Sequence, residues 1–318
     1  MKFIRKYLKY FVAAALAFIT ITQWDSLEKV ILESLFETKK ETPRKIEPNK
    51  PRPSDNTTTN NKPPKTPGTI TIVSWNMCNL GGSKSYKEVE FAADLLNDYD
   101  VIAIQEVATR REGADAIGHL HSELNRRGSK WDYILSDPTS GAGTERYAYI
   151  WKSKSIKLSG RPWLVKAQNL DDLFDREPYM ARFVVNNKNE ILIANFHAIP
   201  SAKKPENEIG LLYKLHNLYK EDNLILMGDF NLHHTHDSFK SLKAKGYRYA
   251  FENAKTTLRR TVKDGDYMAN PYDNFFYEVP VLKKTKGGII DFVPQFSNLK
   301  AAREVSDHLP IWIEVGWK

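Results

Sequence analysis

Beyond residue 68, apolar and polar positions alternate in short runs, and the alternation predicts strands. Residues 69–75 read Thr-Ile-Thr-Ile-Val-Ser-Trp, alternating and rich in β-branched side chains. Segments 101–105, 147–151, 181–185, 191–196, 223–227, 272–277 and 309–315 follow the same logic. Between them, residues near 85–99, 114–127 and 205–220 carry helical spacing; Val89, Ala92, Ala93 and Leu96 form one such stripe. Many strands with a few interspersed helices predict stacked sheets covered by helices, an α/β (α+β) layered sandwich.

The first 68 residues break this pattern. Lys2, Arg5, Lys6 and Lys9 precede an apolar run over 11–22, the layout of an export signal. Small residues suited to cleavage (Ala13, Ala15, Ala17) lie inside the run, and Gln23-Trp24 follows it. Residues 1–37 therefore read as an uncleaved signal anchor, with a cleaved signal peptide or an amphipathic surface helix as alternatives. The run is shorter than the roughly 20 residues that comfortably span a bilayer. Its basic flank predicts an N-terminus inside and the remainder exported, in the periplasm or outside the cell. Residues 38–68 hold seven prolines and the polar run 54–61, so they read as an extended linker. That leaves 69–318 as the folded domain.

Composition changes the picture in two places. The chain has 318 residues, 41% apolar and 27% charged, which suits a globular domain and excludes collagen-like or coiled-coil architectures. Its single cysteine, Cys78, excludes an intrachain disulfide framework and a cysteine-based zinc finger. The net charge of +8 suggests a nucleic-acid face only until it is located. Residues 1–68 hold 13 basic and 7 acidic side chains, leaving 34 and 32 beyond. The basicity belongs to the N-terminal segment.

Several predicted strands end in titratable or metal-competent residues: Asn76, Glu106, His197, then Asp229 with Asn231; Asp307-His308 precede the last strand. Each alone has an ordinary explanation, such as a turn asparagine, a solvated glutamate or an Asx turn in Gly-Asp-Phe-Asn. Jointly they read as a cleft at the strand ends of a layered fold. Hard oxygen donors of this kind suit Mg²⁺ or Mn²⁺, with Ca²⁺ as a further candidate. His233, His234 and His236 read as a rim loop, because only Asp237 stands near them as a carboxylate partner. His119, His121 and His216 fall on helices and read as surface or packing residues.

The ordered motifs Ser74-Trp75-Asn76, Ile104-Gln105-Glu106-Val107, Asn195-Phe196-His197, Met227-Gly228-Asp229-Phe230-Asn231 and Ser306-Asp307-His308-Leu309-Pro310 resemble those of the endonuclease/exonuclease/phosphatase superfamily. Thr144-Glu145-Arg146-Tyr147, Arg176-Glu177-Pro178 and Tyr272-Asp273 resemble its deoxyribonuclease I-like branch in particular. The resemblance implies a four-layer α/β/β/α sandwich, a divalent metal and phosphodiester hydrolysis. It implies metal ligands at Asn76, Glu106, Asp307 and Asp229. Catalytic roles fall on Glu145, His197, Asp229, Asn231, Asp273 and His308. His197 pairs with Glu145 and His308 with Asp273; one histidine activates water and the other protonates the leaving group, read here as His308 the base and His197 the acid, with the reverse as the alternative. Asp229 orients water, and Asn231 donates to a phosphoryl oxygen.

The chain also departs from the pancreatic pattern. Cys78 and Ala108 replace DNA-contacting arginines and Gly143 a groove-contacting tyrosine, while Arg110, Arg111, Arg146 and Arg176 are the substitute phosphate contacts. The expectation is a monomeric, sequence-nonspecific DNA endonuclease that contacts backbone phosphates and is held at a membrane by its N-terminus. The alternative is a sphingomyelinase-like or phosphate-ester phosphodiesterase. A catalytically dead binding module is disfavoured, because every chemical position is filled.

Overall fold

The computed structural model describes residues 65–82, 84–165, 174–220, 223–278 and 282–318; the predicted signal segment and the linker to residue 64 lie outside them. Within them, two six-stranded sheets form. The first is ordered β13 (Leu282–Ile289), β14 (Ile311–Trp317), β1 (Ile70–Leu80), β2 (Val101–Val107), β4 (Arg146–Lys152) and β3 (Trp131–Leu135). The second runs β5 (Ile156–Leu164), β6 (Tyr179–Val185), β7 (Asn189–His197), β8 (Leu224–Asp229), β12 (Asp273–Glu278) and β9 (Tyr247–Tyr249). Strands β10 (Leu258–Lys263) and β11 (Asp266–Met268) make a separate ribbon.

Both large sheets repeat one directional pattern. A parallel pair, β1–β2 or β7–β8, sits centrally and is flanked by antiparallel neighbours. The sheets face each other across a core that includes Ile72, Ala103, Tyr149, Phe183, Ile193 and Phe275. Alternation sends the opposite faces outward to helices. Helices α1 (Tyr86–Leu96) and α2 (Arg111–Arg126) cover the first sheet, and the predicted stripe Val89, Ala92, Ala93 and Leu96 is the buried face of α1. On the second sheet Met180, Leu192, Phe196 and Leu226 meet α3 (Glu206–Ile209) and α4 (Tyr213–Leu218). The layers are helix, sheet, sheet, helix, as the motifs implied.

Some expectations needed correction. Strands β3, β5 and β13 escaped the pattern because they are sheet edges with partly solvated faces; Lys, Gly or Ser dilute the alternation in β5 and β13, and β3 is only five residues with Asp132 among them. The helix expected over 205–220 is two short helices that Gly210 separates. The last strand begins at Ile311 rather than 309, after Pro310, which has no N–H to give a ladder. The first extends past Trp75 to Leu80, with Cys78 and Asn79 at φ of 48° and 61°. There the pairing with β2 shifts register between Asn76 and Leu80, a bulge.

A polar tie crosses the apolar interior. Gln105 Nε2 donates to Ser74 Oγ at 3.0 Å and to Asn195 Oδ1 at 2.6 Å, and Asn195 Nδ2 donates to the Ile104 carbonyl at 3.0 Å. It couples the two parallel pairs one or two residues before Asn76, Glu106 and His197. A second tie fastens the domain's N-terminal edge. Lys65 Nζ reaches Asp100 Oδ2 at 2.7 Å, which also accepts from the Thr71 N–H and hydroxyl. Burial pushes the Asp100 carboxyl up, but the Lys65 and Thr71 donors outweigh it and hold the group below its ordinary value.

This sets a pH dependence. The stabilisation from Asp100 is fully present above the unfolded carboxyl's pKa of about 3.9 and is lost as pH falls through the lower folded value. Asp100→Asn should cost about 1–3 kcal/mol at pH 7, the scale of a buried charged hydrogen-bond group. In urea melts its deficit relative to wild type should shrink as pH falls from about 5 to 2. A deficit that stays constant with pH would detach the effect from the carboxylate charge.

Candidate active site

Strand register assembles the site. In the parallel β7–β8 pair His197 stands opposite Asp229, and in the antiparallel β8–β12 pair Asp273 stands opposite Asp229. A row of three polar side chains therefore crosses the end of the second sheet. Gly228 makes the row possible: its φ is 138°, and a Cβ there would lie 1.8 Å from the Phe196 carbonyl oxygen. The first sheet contributes Asn76 and Glu106 from the ends of its own parallel pair, plus Glu145 just before β4 and His308 just before β14. Glu106 adopts a φ of 58°, a left-handed conformation uncommon outside glycine. His308 is seated by three bonds: its carbonyl accepts from Trp75 Nε1 at 2.8 Å, its N–H donates to Ser306 Oγ at 3.0 Å, and Ser306 in turn holds the Asn76 carbonyl at 2.7 Å.

Two histidine–carboxylate pairs converge on Asp229. His197 Nδ1 lies 2.9 Å from Glu145 Oε2 and His308 Nδ1 lies 2.9 Å from Asp273 Oδ2. With Nδ1 so engaged, each ring turns its Nε2 toward Asp229 Oδ2, at 3.4 Å from His197 and 3.6 Å from His308. Burial alone would strip the proton from both rings. For His197 the charge and hydrogen bond of Glu145, then Asp229, outweigh burial and raise the pKa above the ordinary value. For His308 burial is outweighed by Asp273 and Asp229, with Asp307 adding to them, and the pKa rises to about 10. Burial raises the Asp273 carboxyl despite its histidine partner, and its Oδ1 has no hydrogen-bond partner among the described residues. The His308 imidazole is therefore held in its charged form at neutral pH, and the carboxylates around His197 shift that ring in the same direction.

The expected metal ligands are partly gathered. Asn76 Nδ2 donates to Glu106 Oε1 at 2.9 Å and to Asp229 Oδ2 at 3.2 Å, while its Oδ1 accepts from the Cys78 N–H at 2.9 Å. Glu106 Oε2 accepts from the Asn79 N–H at 3.0 Å. Asp307 sits to one side, where Arg303 Nη2 donates to it at 3.2 Å. Asp229, Asp273 and His308 also present ligand atoms within 4.8 Å of one another. Cys78, beside Asp307 and Glu106, is kept a neutral thiol: burial and those two carboxylates push it up to about 11. The backbone N–H of Asn231 donates to Asp229 Oδ1 at 2.8 Å, and its Nδ2 donates to the Ala198 carbonyl at 3.0 Å.

The arginines divide. Arg176 Nε lies 3.0 Å from Glu145 Oε2 and donates to the Gly143 carbonyl at 2.8 Å, while its Nη1 donates to the Ala198 carbonyl at 3.0 Å. Arg146 Nη1 donates to the Ser136 carbonyl at 2.8 Å, and Arg146 does not line the cleft beside Glu145. Arg110 does line it, whereas Arg111 faces solvent in a pair with Asp115. The His233–His236 stretch is a loop as expected, but His234 is buried against Tyr249, their rings 4.0 Å apart, and burial lowers its pKa to about 4. Sequence reasoning missed Thr256, whose hydroxyl donates to Asp273, and Glu208, whose oxygens accept from the Asp175 and Ile199 N–H groups at 2.7 and 2.8 Å. Neither lies in a motif, so only the folded chain reveals them.

Comparison with known proteins agrees with this geometry. The Endonuclease/Exonuclease/phosphatase family matches residues 73–308. A deoxyribonuclease of Thioalkalivibrio sp. (strain K90mix) is 28% identical over 267 residues, which are 77% of this chain and 70% of that protein. The deoxyribonuclease-1-like 1 protein of Sus scrofa is 28% identical over 234 residues, covering 68% of this chain and 70% of its own. The catalytic domain of human Nocturnin, solved with a bound sulfate anion, superposes with a TM-score of 0.59 at 16% identity over 79% of this chain and 94% of its own, a likeness of fold.

The close approach at Gly228 generates a prediction. Gly228→Ala must push β7 from β8 where His197 and Asp229 stand opposite each other. It should destabilise the protein by about 2 kcal/mol or more in urea unfolding, within the range of strain and packing defects. Phosphodiesterase turnover should fall by more than about 100-fold, as misplaced catalytic groups do. Wild-type stability and turnover together would remove the proposed reason for the glycine.

Proposed function

The chain belongs to the endonuclease/exonuclease/phosphatase family of phosphoester hydrolases, and we propose that within it the protein is a divalent-cation-dependent, sequence-nonspecific DNA endonuclease acting outside the cytoplasm. The observation that carries the reading is the convergence of two histidine–carboxylate pairs on Asp229. Such an arrangement can hold one proton donor and one proton acceptor on opposite sides of a phosphodiester. The deoxyribonucleases among the relatives support DNA as the ester. A lipid-directed relative would be favoured by an exposed apolar loop beside the cleft. Among the described residues the large exposed apolar side chains are Tyr86, Tyr133, Leu218 and Val262, and none lines it.

The donor set fits a hard cation. Glu106 and Asp229 offer carboxylate oxygens, whereas Asn76, expected as a further ligand, turns its Nδ2 to both of them and commits its Oδ1 to the Cys78 N–H; Glu106, Glu145, Asp229, Asp273 and Asp307 crowd a site that must admit an anionic substrate. A cation held by Glu106 and Asp229 would stabilise charge on the phosphoryl oxygens and offset the carboxylate field that keeps His308 protonated. The chain's own residues do the rest. Asp229 orients the attacking water, and His308 accepts its proton at Nε2. His197 donates from Nε2 to the leaving oxygen, with Glu145 supporting the imidazolium. Asn231 spends one amide hydrogen on Ala198 and offers the other to a phosphoryl oxygen. Arg176 keeps Glu145 and its loop in place and presents its remaining Nη2 to the cleft.

Export rests on Lys2, Arg5, Lys6 and Lys9 before the apolar run, and places the catalytic domain beyond the membrane as a monomer on a tether.

Three measurements test the reading. His197→Ala and His308→Ala should each lower turnover on plasmid DNA by roughly 10²–10⁴-fold with little change in DNA binding. Either variant retaining a tenth of wild-type turnover would remove that histidine from the chemistry. Glu106→Gln should raise the Mg²⁺ or Mn²⁺ concentration needed for half-maximal activity, because an amide lacks the charge a hard cation requires; an unchanged titration would free Glu106 of that role. In cell fractions the full chain should sediment with membranes and resist alkaline extraction, with the domain open to protease from the non-cytoplasmic side. A soluble product starting near residue 25 would indicate cleavage instead.

A further inference from the structure

We propose that the cleft beside the Glu145–His197 pair receives one unstacked nucleotide, so that single-stranded DNA is the preferred form of substrate. The inference rests on the nuclease reading and adds the form of DNA to it. The cleft encloses about 560 Å³, within the roughly 300–1,000 Å³ typical of small-molecule sites. Its lining includes the small residues Ala108, Ala142 and Gly143, which leave its width open. Asn79, Thr109 and Thr144 add neutral donors and acceptors, and the guanidinium groups of Arg110 and Arg176 complete the wall.

The opening is built rather than incidental. The Asp175 carboxylate accepts from the N–H groups of Ala142 and Gly143, both at 2.9 Å, and the Gly141 N–H donates to the Asp175 carbonyl at 3.0 Å. Ser140 N–H donates to Glu177 at 2.9 Å, and Arg176 grips the Gly143 carbonyl. A Cβ at Gly143 would come within 2.7 Å of Asp175 Oδ2 and 2.9 Å of Arg176 Nη2, so the loop is packed closely against the 175–176 segment. The loop is thereby pre-organised, which lowers the ordering cost of binding.

The charges of the cleft select what enters. Glu106 and Glu145 lie at its inner end, one bound by Asn76 and Asn79, the other by His197 and Arg176. With Glu145 paired to His197 and Arg176, and Glu106 given to the cation, that end offers little free charge and suits a neutral, planar group with hydrogen-bonding edges. A nucleobase has that chemistry, and a guanidinium plane stacks on it readily. Arg110 stands exposed where α2 begins and suits the phosphate that flanks such a base. In a duplex the base is already paired and stacked, and extracting it costs a few kcal/mol. A single strand incurs no unpairing cost.

The test uses the full chain with Mg²⁺ on a circular single strand and on the relaxed, closed duplex of the same sequence. The first should be nicked at least about tenfold faster per phosphodiester, the factor that 1.4 kcal/mol of the avoided unpairing cost supplies. Ala108→Trp and Ala142→Trp fill the cleft and should bring this ratio toward one; Ala142 is exposed, so a bulky side chain there is tolerated by the fold. In the His308→Ala chain, a 2-aminopurine oligonucleotide should brighten on binding as a single strand and stay quenched as a duplex. A duplex cut as fast as the single strand, tryptophan variants that leave the ratio unchanged, or no brightening would each overturn the proposal. Hydrolysis of bis(p-nitrophenyl) phosphate with no cleavage of either DNA would show instead that the nuclease reading had failed, and this proposal with it.

Discussion

One buried carboxylate joins the two halves of this molecule. Asp229 Oδ2 accepts from Asn76 of the first sheet at 3.2 Å and faces the Nε2 atoms of His197 and His308, which come from opposite sheets. Burying a charge in an apolar sandwich is costly unless donors surround it. The chain meets that requirement by bringing an amide and two imidazoles to the same point. The same condition that makes Asp229 tolerable as structure assembles the catalytic groups, so the packing of the sheets and the reactivity of the site cannot be separated.

The surrounding acids extend this logic. Glu145 and Asp273 each hold a histidine, and the field of all the carboxylates overcomes the effect of burial on both rings. Further out, Asp175, Glu177 and Glu208 spend their oxygens on backbone N–H groups of the loops around the cleft. These acids bind no substrate; they convert irregular backbone into a rigid rim. Burial raises the Glu208 carboxyl even though two N–H groups stabilise its charge, as expected for an anion enclosed by protein. Acidic residues thus serve two structural roles in one region, histidine partner and loop clamp.

Much of the fold was legible. The central strands β1, β2, β7 and β8 are buried on both faces and read clearly from their apolar content. Strands nearer the edges, β5 and β13, were not, because solvent on one side lets lysine, serine and glycine interrupt the alternation. The motif residues proved to be neighbours in space, including His197 with Glu145 and His308 with Asp273, although 52 and 35 residues separate them. Arg146 adjoins Glu145 in the same motif, yet strand alternation turns it to the Ser136 carbonyl and away from the cleft.

What the sequence by itself determined is the layered fold, the family and the identity of the chemical groups, because those depend on local pattern and on residue type at strand ends. Tertiary structure alone decided the rest. Thr256 and Glu208 acquire their roles only when distant backbone arrives beside them. The loop over 141–143 beside the cleft is fixed by Asp175, a partner that no motif indicates. The proton affinities of His197 and His308 follow from which carboxylates lie within a few ångströms in the folded chain. Such distances are properties of packing, and no spacing along the chain encodes them.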